Sequence, residues 1–270
     1  MLKQLSGEPE LYQFDELASR AGLIHAITGR RGGTSPAPYD SLNLGYAVPD
    51  DPENVSRNRG TVADALGIGL DRVVTTKQVH GTASAVVTGE DGGRGALDRA
   101  TALSGFDNLV TKETGVYLWM SFADCVPILL YDPDTPAIGI SHAGWRGALA
   151  GAAGSAAKRM MDEGMASPAG LSAYIGPSIG PCCYEVGSEV WQPFTERWPA
   201  SVSGTPRPGN RRLLDLWAAI CADLRDTGVA AERIHCAETC TADNRDRFFS
   251  HRGDMGRSGR FAMIAGLTDE

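Results

Sequence analysis

The sequence has no run of apolar residues long enough to cross a membrane as a helix, which takes about 18 or more. Its apolar stretch near the middle, Val126–Tyr131, has the length of a strand. The opening segment MLKQLSGEPELYQFDELASR has no apolar secretion core and is interrupted by Glu8, Glu10, Asp15 and Glu16. A cytoplasmic location with no membrane partner is the expectation. There is no CxxC pair, and the six cysteines follow no disulfide framework, which a chain of this length does not need. Basic charge is in deficit: 25 Lys and Arg face 33 Asp and Glu, a formal net charge of −8. Coating DNA or RNA needs a net basic face that displaces counterions, so nucleic acid is excluded as a general partner. A small anion held in a local pocket is not excluded. Internal repeats and low-complexity tracts are missing as well.

What remains is an ordinary globular composition, 42% hydrophobic and 21% charged over 270 residues. The Gly/Pro-rich segments 30–38, 90–95 and 202–210 read as surface loops rather than linkers, so one domain over 1–270 is expected. Strands are expected at Val73–Thr76, Ala83–Val87, Tyr117–Phe122, Ile128–Tyr131, Ala137–His142 and Leu171–Ile175, with Asp132-Pro133-Asp134 as a turn. Helices are expected at Pro52–Leu66, Ala148–Glu163 and Leu213–Leu224, the last with Leu213, Leu216, Trp217, Ile220 and Leu224 on a core face. Trp191 and Trp217 read as packing residues. Strands and helices mix without regular βαβ alternation, which points to an α+β fold with mixed sheets packed against helices in layers.

Three side chains stand at strand ends beside loops. His80 closes TTKQVH, Cys125 precedes the strand VPILLY, and His142 closes AIGISH. Two imidazoles and one thiolate can bind Zn²⁺ and leave a fourth position open, the pattern of a catalytic rather than a closed structural site. Water there would be more acidic and more nucleophilic. No local spacing enforces such a site, and a lone Cys before VPILL also fits a buried core thiol. Asp124 fits either a proton shuttle or a turn-capping, supporting carboxylate. Arg146, just ahead of the Ala148 helix, suits an anion held by an arginine fork and free amides, with Arg30, Arg31 and Asn43 contributing from N-terminal loops. The alternative for each arginine is a surface salt bridge. Cys182 and Cys183 read as packing in a tight loop, and Cys236 and Cys240, at i, i+4 spacing, as structural.

The blocks TKQVHG, ADCVPILLYDP and HAGWRG, in this order, resemble the signature blocks of the YfiH, or laccase-domain, family. RRGGTSPAPYDSLNLG, Asp50-Asp51-Pro52, Asn58-Arg59, YIGPSIGPCCYEVG and DRFFSHRGDMGRSGR extend the likeness over about residues 24–265. The last block departs from the family pattern at His251 and Gly253, where Tyr and Arg are expected. The resemblance implies the fold of the YfiH-like cysteine hydrolases and a zinc-dependent enzyme. It implies phosphorolysis of adenosine, inosine, guanosine and methylthioadenosine, and deamination of adenosine. His80, Cys125 and His142 map to the metal ligands, with purine nucleosides and phosphate as small-molecule partners and a monomer as the default. Two other chemistries compete. A copper polyphenol oxidase is suggested by the family's older name, but the chain has only five histidines for such sites. A Cys–His hydrolase with Cys125 as nucleophile is suggested by a fold-level likeness to a deamidating toxin, and family links to peptidoglycan quality control suggest its precursors as substrate.

Overall fold

A computed structural model of the chain describes residues 1–269. In chain order its strands are β1 (Leu2–Gln4), β2 (Leu11–Phe14), β3 (Leu23–Thr28), β4 (Val73–Lys77), β5 (Ser84–Val86), β6 (Leu103–Ser104), β7 (Asn108–Thr111), β8 (Tyr117–Phe122), β9 (Val126–Asp132), β10 (Ala137–Ala143), β11 (Ser172–Ile175), β12 (Glu185–Val186), β13 (Arg212–Leu213), β14 (Ile234–Cys236) and β15 (Phe261–Leu267). The helices are α1 (Pro52–Leu66), α2 (Trp145–Ala150), α3 (Ala152–Asp162), α4 (Ser188–Arg197) and α5 (Leu216–Asp226). A seven-stranded sheet runs β1-β2-β3-β15-β8-β4-β6, and a six-stranded sheet runs β14-β11-β9-β10-β7-β5. Both mix parallel and antiparallel pairs, so the α+β expectation holds. No helix among the described residues is long and apolar enough to cross a membrane.

The strand alternation builds the layers. In β8, Leu118, Met120 and Phe122 face the second sheet and meet Leu129 and Tyr131 of β9 and Ile138 and Ile140 of β10. Tyr117 and Trp119 face the other way, onto Leu42, Leu44, Val62 and Ala63 beneath α1. β9 turns Val126, Ile128 and Leu130 outward, where α3 and α5 cover them. The order is thus helix, sheet, sheet, helices. The alanine-rich face of α3 lets it lie close to β10: a Cβ at Gly139 would stand 3.1 Å from the Met160 sulfur.

Helix α1 spans the expected residues. Asp51 caps it by accepting from the Glu53 amide, Pro52 occupies the first turn, and Gly67 ends it in the left-handed region. The helix expected over Ala148–Glu163 is two helices. Gly151 adopts φ 88° between them, and the Asp223 carboxylate accepts the Gly154 N–H at 2.7 Å, so the second helix starts against α5. The helix expected from Leu213 begins at Leu216, because Asp215 caps it by accepting from the Ala218 amide, while Leu213 pairs with Glu185. Helix α4 and strands β1–β3, β6, β7 and β12–β15 are not among the expected elements. Trp191 and Trp217 pack half-buried, donating through Nε1 to the Asn210 carbonyl at 3.0 Å and to Ser178 Oγ at 2.6 Å.

His25, buried in β3, accepts the Phe14 N–H on Nε2 at 3.0 Å, while its Nδ1 has no partner. Burial pushes its pKa from 6.5 down to about 4. Between those values the unfolded chain takes up a proton that the folded chain refuses. The stabilising contribution is therefore whole above pH 6.5 and is lost as pH falls toward 4. The full loss is about 3 kcal/mol. His25→Gln should flatten the fall in thermal midpoint across this interval, and an unchanged slope would mean other groups set it.

Candidate metal centre

Strand register brings three distant residues to one place. β9 and β10 form an antiparallel hairpin that pairs His142 with Pro127 and Ala143 with Val126. Cys125, one residue before β9, therefore stands beside the end of β10. β7 flanks β10 on its other side, with Asn108 opposite Ser141, so Asp107 reaches His142. β5 runs parallel to β7 with Ser84 opposite Asn108, so the chain entering β5 must pass Asp107. That entering chain is the loop 78–83, which crosses from β4 in the first sheet and carries His80. The strand end expected at His80 lies earlier, at Lys77. His80 sits in the loop at φ 62°.

Asp107 holds this arrangement and was not singled out in the sequence. It is fully buried. Its carboxylate accepts the N–H groups of Val79, His80 and Gly81 at 3.1, 3.0 and 2.7 Å, and faces His142 Nδ1 at 2.9 Å. Its carbonyl also accepts the His142 N–H at 2.8 Å. Gln78 ties the loop to β8 through the Ser121 backbone. The only sequence signal for Asp107 was a carboxylate heading the apolar strand NLVT.

One ligand atom each from His80, Cys125 and His142 lies within 4.8 Å of the other two. His142 is buried, Cys125 partly so, and His80 exposed, so the cluster opens to solvent on one side. The two rings meet edge-on with centroids 5.0 Å apart. Gly144 makes the approach possible, because a Cβ there would lie 2.8 Å from His80 Cδ2 and 3.0 Å from the Cys125 sulfur. Burial disfavours charge on Cys125, His142 and Asp107, but the attraction between neighbouring charges outweighs it. Histidines 142 and 80 pull the Cys125 thiol below its usual range. Cys125 and Asp107 push His142 upward. His142 and the amides of Gly81 and Val79 hold Asp107 low.

The cluster lies on a cleft of about 350 Å³. Arg59, Lys77, Arg99 and Arg260 line it with positive charge, and Tyr46 and Phe122 with aromatic surface. His251, where the family pattern has Tyr, lines it too. The residues expected to bind the anion lie elsewhere. Arg30 and Arg31 line a separate pocket with Asp40 and Asp246, where Arg30 donates to the Arg245 carbonyl at 2.7 Å. Asn43 is buried and accepts from the Arg260 N–H at 2.9 Å, so it positions the backbone behind the cleft. Arg146 is the second residue of α2, not a residue ahead of a helix, and its guanidinium lies over the Trp145 ring at 4.3 Å. Asp124 adopts φ 78°, and its carboxylate accepts from Thr241, Ser250 and the Arg252 N–H. These bonds fix the bend that presents Cys125.

The family model described as "Multi-copper polyphenol oxidoreductase laccase" matches residues 24–268. The chain is 39% identical over 255 residues to "Purine nucleoside phosphorylase YlmD" of Geobacillus stearothermophilus, covering 93% of this chain and 92% of that one. It is 34% identical to the Bacillus subtilis protein of the same name, covering 92% and 89%. The crystal structure of the Bacillus licheniformis hypothetical protein YfiH superposes with a TM-score of 0.92 at 33% identity, covering 98% and 99%. That of Geobacillus stearothermophilus YlmD gives 0.92 at 36%, with the same coverage. Matched along nearly its whole length in sequence and in fold, the chain belongs to the laccase-domain family of YfiH and YlmD.

Proposed function

We propose that the chain is a purine nucleoside phosphorylase whose His80, Cys125 and His142 hold a zinc ion at the floor of a nucleoside- and phosphate-binding cleft. The observation that carries this reading is the convergence of those three donors on a cleft carrying four cationic side chains. Two imidazoles and a thiolate suit zinc, and three ligands leave a position free for substrate. A set of several coppers suits the chain less well. His25 is buried in the core and His235 stacks on Tyr174, which leaves His251 as the one further histidine on the cleft. When bound, zinc supplies Lewis acidity at the cleft floor.

In phosphorolysis a phosphate oxygen bonds to C1′ of the ribose as the C1′–N9 bond breaks, and the purine leaves with its electron pair and gains a proton. Arg99, Arg260 and Lys77 bring the phosphate and balance its charge. Tyr46 and Phe122 offer aromatic faces of the kind a purine stacks on. Asp107 orients His142 through Nδ1 and leaves Nε2 to face the cleft, the arrangement that fixes a metal-ligating imidazole. The reading extends to adenosine deamination, in which water replaces the 6-amino group and ammonia departs, because the cluster is open on its His80 side. A cytoplasmic monomer is the accompanying expectation.

The buried chain of Cys125, His142 and Asp107 also favours a second reading, a cysteine hydrolase with His142 as base and Asp107 as its orienting group. Alkylation of Cys125 separates the two: protection by zinc supports the metal role, and equal reaction with and without zinc supports the nucleophile.

Incubation with adenosine, with and without phosphate, should give adenine only when phosphate is present and inosine in either case. Absence of both products would overturn the proposed activity. Arg99→Ala should raise the KM for phosphate by roughly 10–100-fold, the scale of a lost charge-assisted bond, while Arg146→Ala leaves it near the wild-type value. The reverse pattern would restore Arg146 as the phosphate ligand. Asp107→Asn should weaken zinc binding by roughly 10–100-fold through loss of the orienting carboxylate. Gly144→Ala should weaken it as well by forcing His80 and Cys125 apart. Unchanged zinc affinity in both variants would show that the cluster does not hold the ion.

A further inference from the structure

A second set of donors converges outside the cleft. One ligand atom each of Cys182, Cys183, Cys240 and Asp243 lies within 4.8 Å of the others. Cys236 and Cys240 have i, i+4 spacing in the sequence, but the structure separates them. Cys236 ends β14, while Cys240 lies beyond it in a loop bridged to Ser178. The register of β11 with β14, Ile175 opposite Cys236, carries forward into that bridge and brings the loop 180–183 against the loop 240–243. Gly180 allows the contact. A Cβ there would stand 3.1 Å from Cys240 Cβ, 3.2 Å from Cys182 Sγ and 2.8 Å from the Trp217 ring.

We propose that Cys182, Cys183, Cys240 and Asp243 form a second metal site, which takes one thiophilic divalent cation of the zinc class. Three sulfurs and one carboxylate oxygen make a four-ligand set, the closed type found in structural zinc sites, in contrast to the three-ligand set at the cleft. At a Zn–S length of about 2.3 Å, tetrahedral sulfurs stand about 3.8 Å apart, within the observed spread. The local bonding has the pattern such a site needs. The Gly180 N–H donates to Cys240 Sγ from 3.2 Å, as backbone amides do to metal-bound sulfur. Cys182 and Cys183 each donate to a different oxygen of Asp243 at 3.0 Å. On binding, metal–sulfur bonds form and the thiol protons go to solvent, so affinity falls as pH drops.

The site would act as a staple. Thr241, inside the second loop, donates to Asp124 Oδ1 at 2.7 Å, and Ile179, beside the first, donates to the Asp124 carbonyl at 3.0 Å. Both loops therefore reach the residue whose bend presents Cys125. The inference does not rest on the proposed reaction. Its test is titration of the reduced, metal-free full chain with Co²⁺ and with Zn²⁺, read by sulfur-to-cobalt charge-transfer absorption and by metal content per chain in native mass spectrometry. The wild type should take up two equivalents. His80→Ala should keep one, with the intense charge-transfer band of a thiolate-rich site. Cys182→Ser and Asp243→Asn, changes at exposed residues that leave the core intact, should each lose that equivalent and keep the one at His80. A single equivalent in the wild type that His80→Ala abolishes would overturn the second site. So would a disulfide between Cys240 and Cys182 or Cys183 that forms in an oxidised glutathione buffer while no second equivalent binds.

Discussion

A buried carboxylate is tolerable only when its charge is met on every side, and Asp107 satisfies that condition in a way that fixes the whole site. Three successive amides from one loop and one imidazole from a neighbouring strand all converge on its two oxygens. Those amides belong to Val79, His80 and Gly81, so the bonds that satisfy Asp107 also impose the left-handed backbone at His80. Such a conformation costs of order 1 kcal/mol or more for a residue with a Cβ and persists only when its surroundings dictate it. Here the surroundings are a single side chain. The same oxygen that receives the His80 amide sets the tautomer and tilt of His142. Two ring positions, one on a strand and one on the loop that joins the sheets, are thereby fixed by one group, and removing it would release both.

The sheets supply the rest. An antiparallel hairpin places the residue before its first strand beside the end of its second, so the neighbourhood of Cys125 and His142 follows from pairing alone. His80 arrives by a different route, on a loop that leaves the first sheet and enters the second. The site therefore sits where the two sheets exchange a chain segment, and it depends on their stacking as much as on either one. Gly144 marks how tight the junction is, since one methyl group there would meet both an imidazole and the sulfur. The cationic lining of the adjoining cleft is local. It stands against a net charge of −8, so positive potential here comes from the pocket's own side chains and not from the surface at large.

Legibility in the sequence divided along the same physical lines. Helix α1 was readable because its start and stop are local: Asp51-Pro52 begins it and Gly67 ends it. β8, β9 and β10 were readable because burial on both faces requires long apolar runs. His80, Cys125 and His142 were visible as functional residue types at strand ends, and their resemblance to known blocks joined them. Asp107 was hidden because its meaning lies wholly in partners from other strands. The break at Gly151 was hidden for a similar reason. An alanine- and glycine-rich run reads as one helix until Asp223, from α5, binds the start of its second half. Arg30, Arg31 and Arg146 were legible because they stand in recognisable blocks, although they do not line the cleft. Arg99 and Lys77 reach the cleft only through the fold of the loops around them.

Arg59 and Asn58 show how a block in the sequence can shape the cleft through bonds to backbone. Asn58 lies buried beneath the N-terminal loops, donating to Ser35 and to the Ser41 and Asn43 carbonyls and accepting from Thr34. Arg59, next to it on α1, donates to the carbonyls of Leu44, Gly95 and Ala96 and lies over the rings of Tyr46 and Trp119. Burial lowers its pKa to about 10, still far enough above neutrality to keep the guanidinium charged. A permanently charged group with most of its donors committed to carbonyls is a poor mobile ligand but a good fixed one. It holds Tyr46 and the segment before Ala96 in place while adding positive potential to the wall of the cleft. Packing and electrostatics are here one role, and a Lys at this position would keep the charge and lose the planar fork that joins the loops.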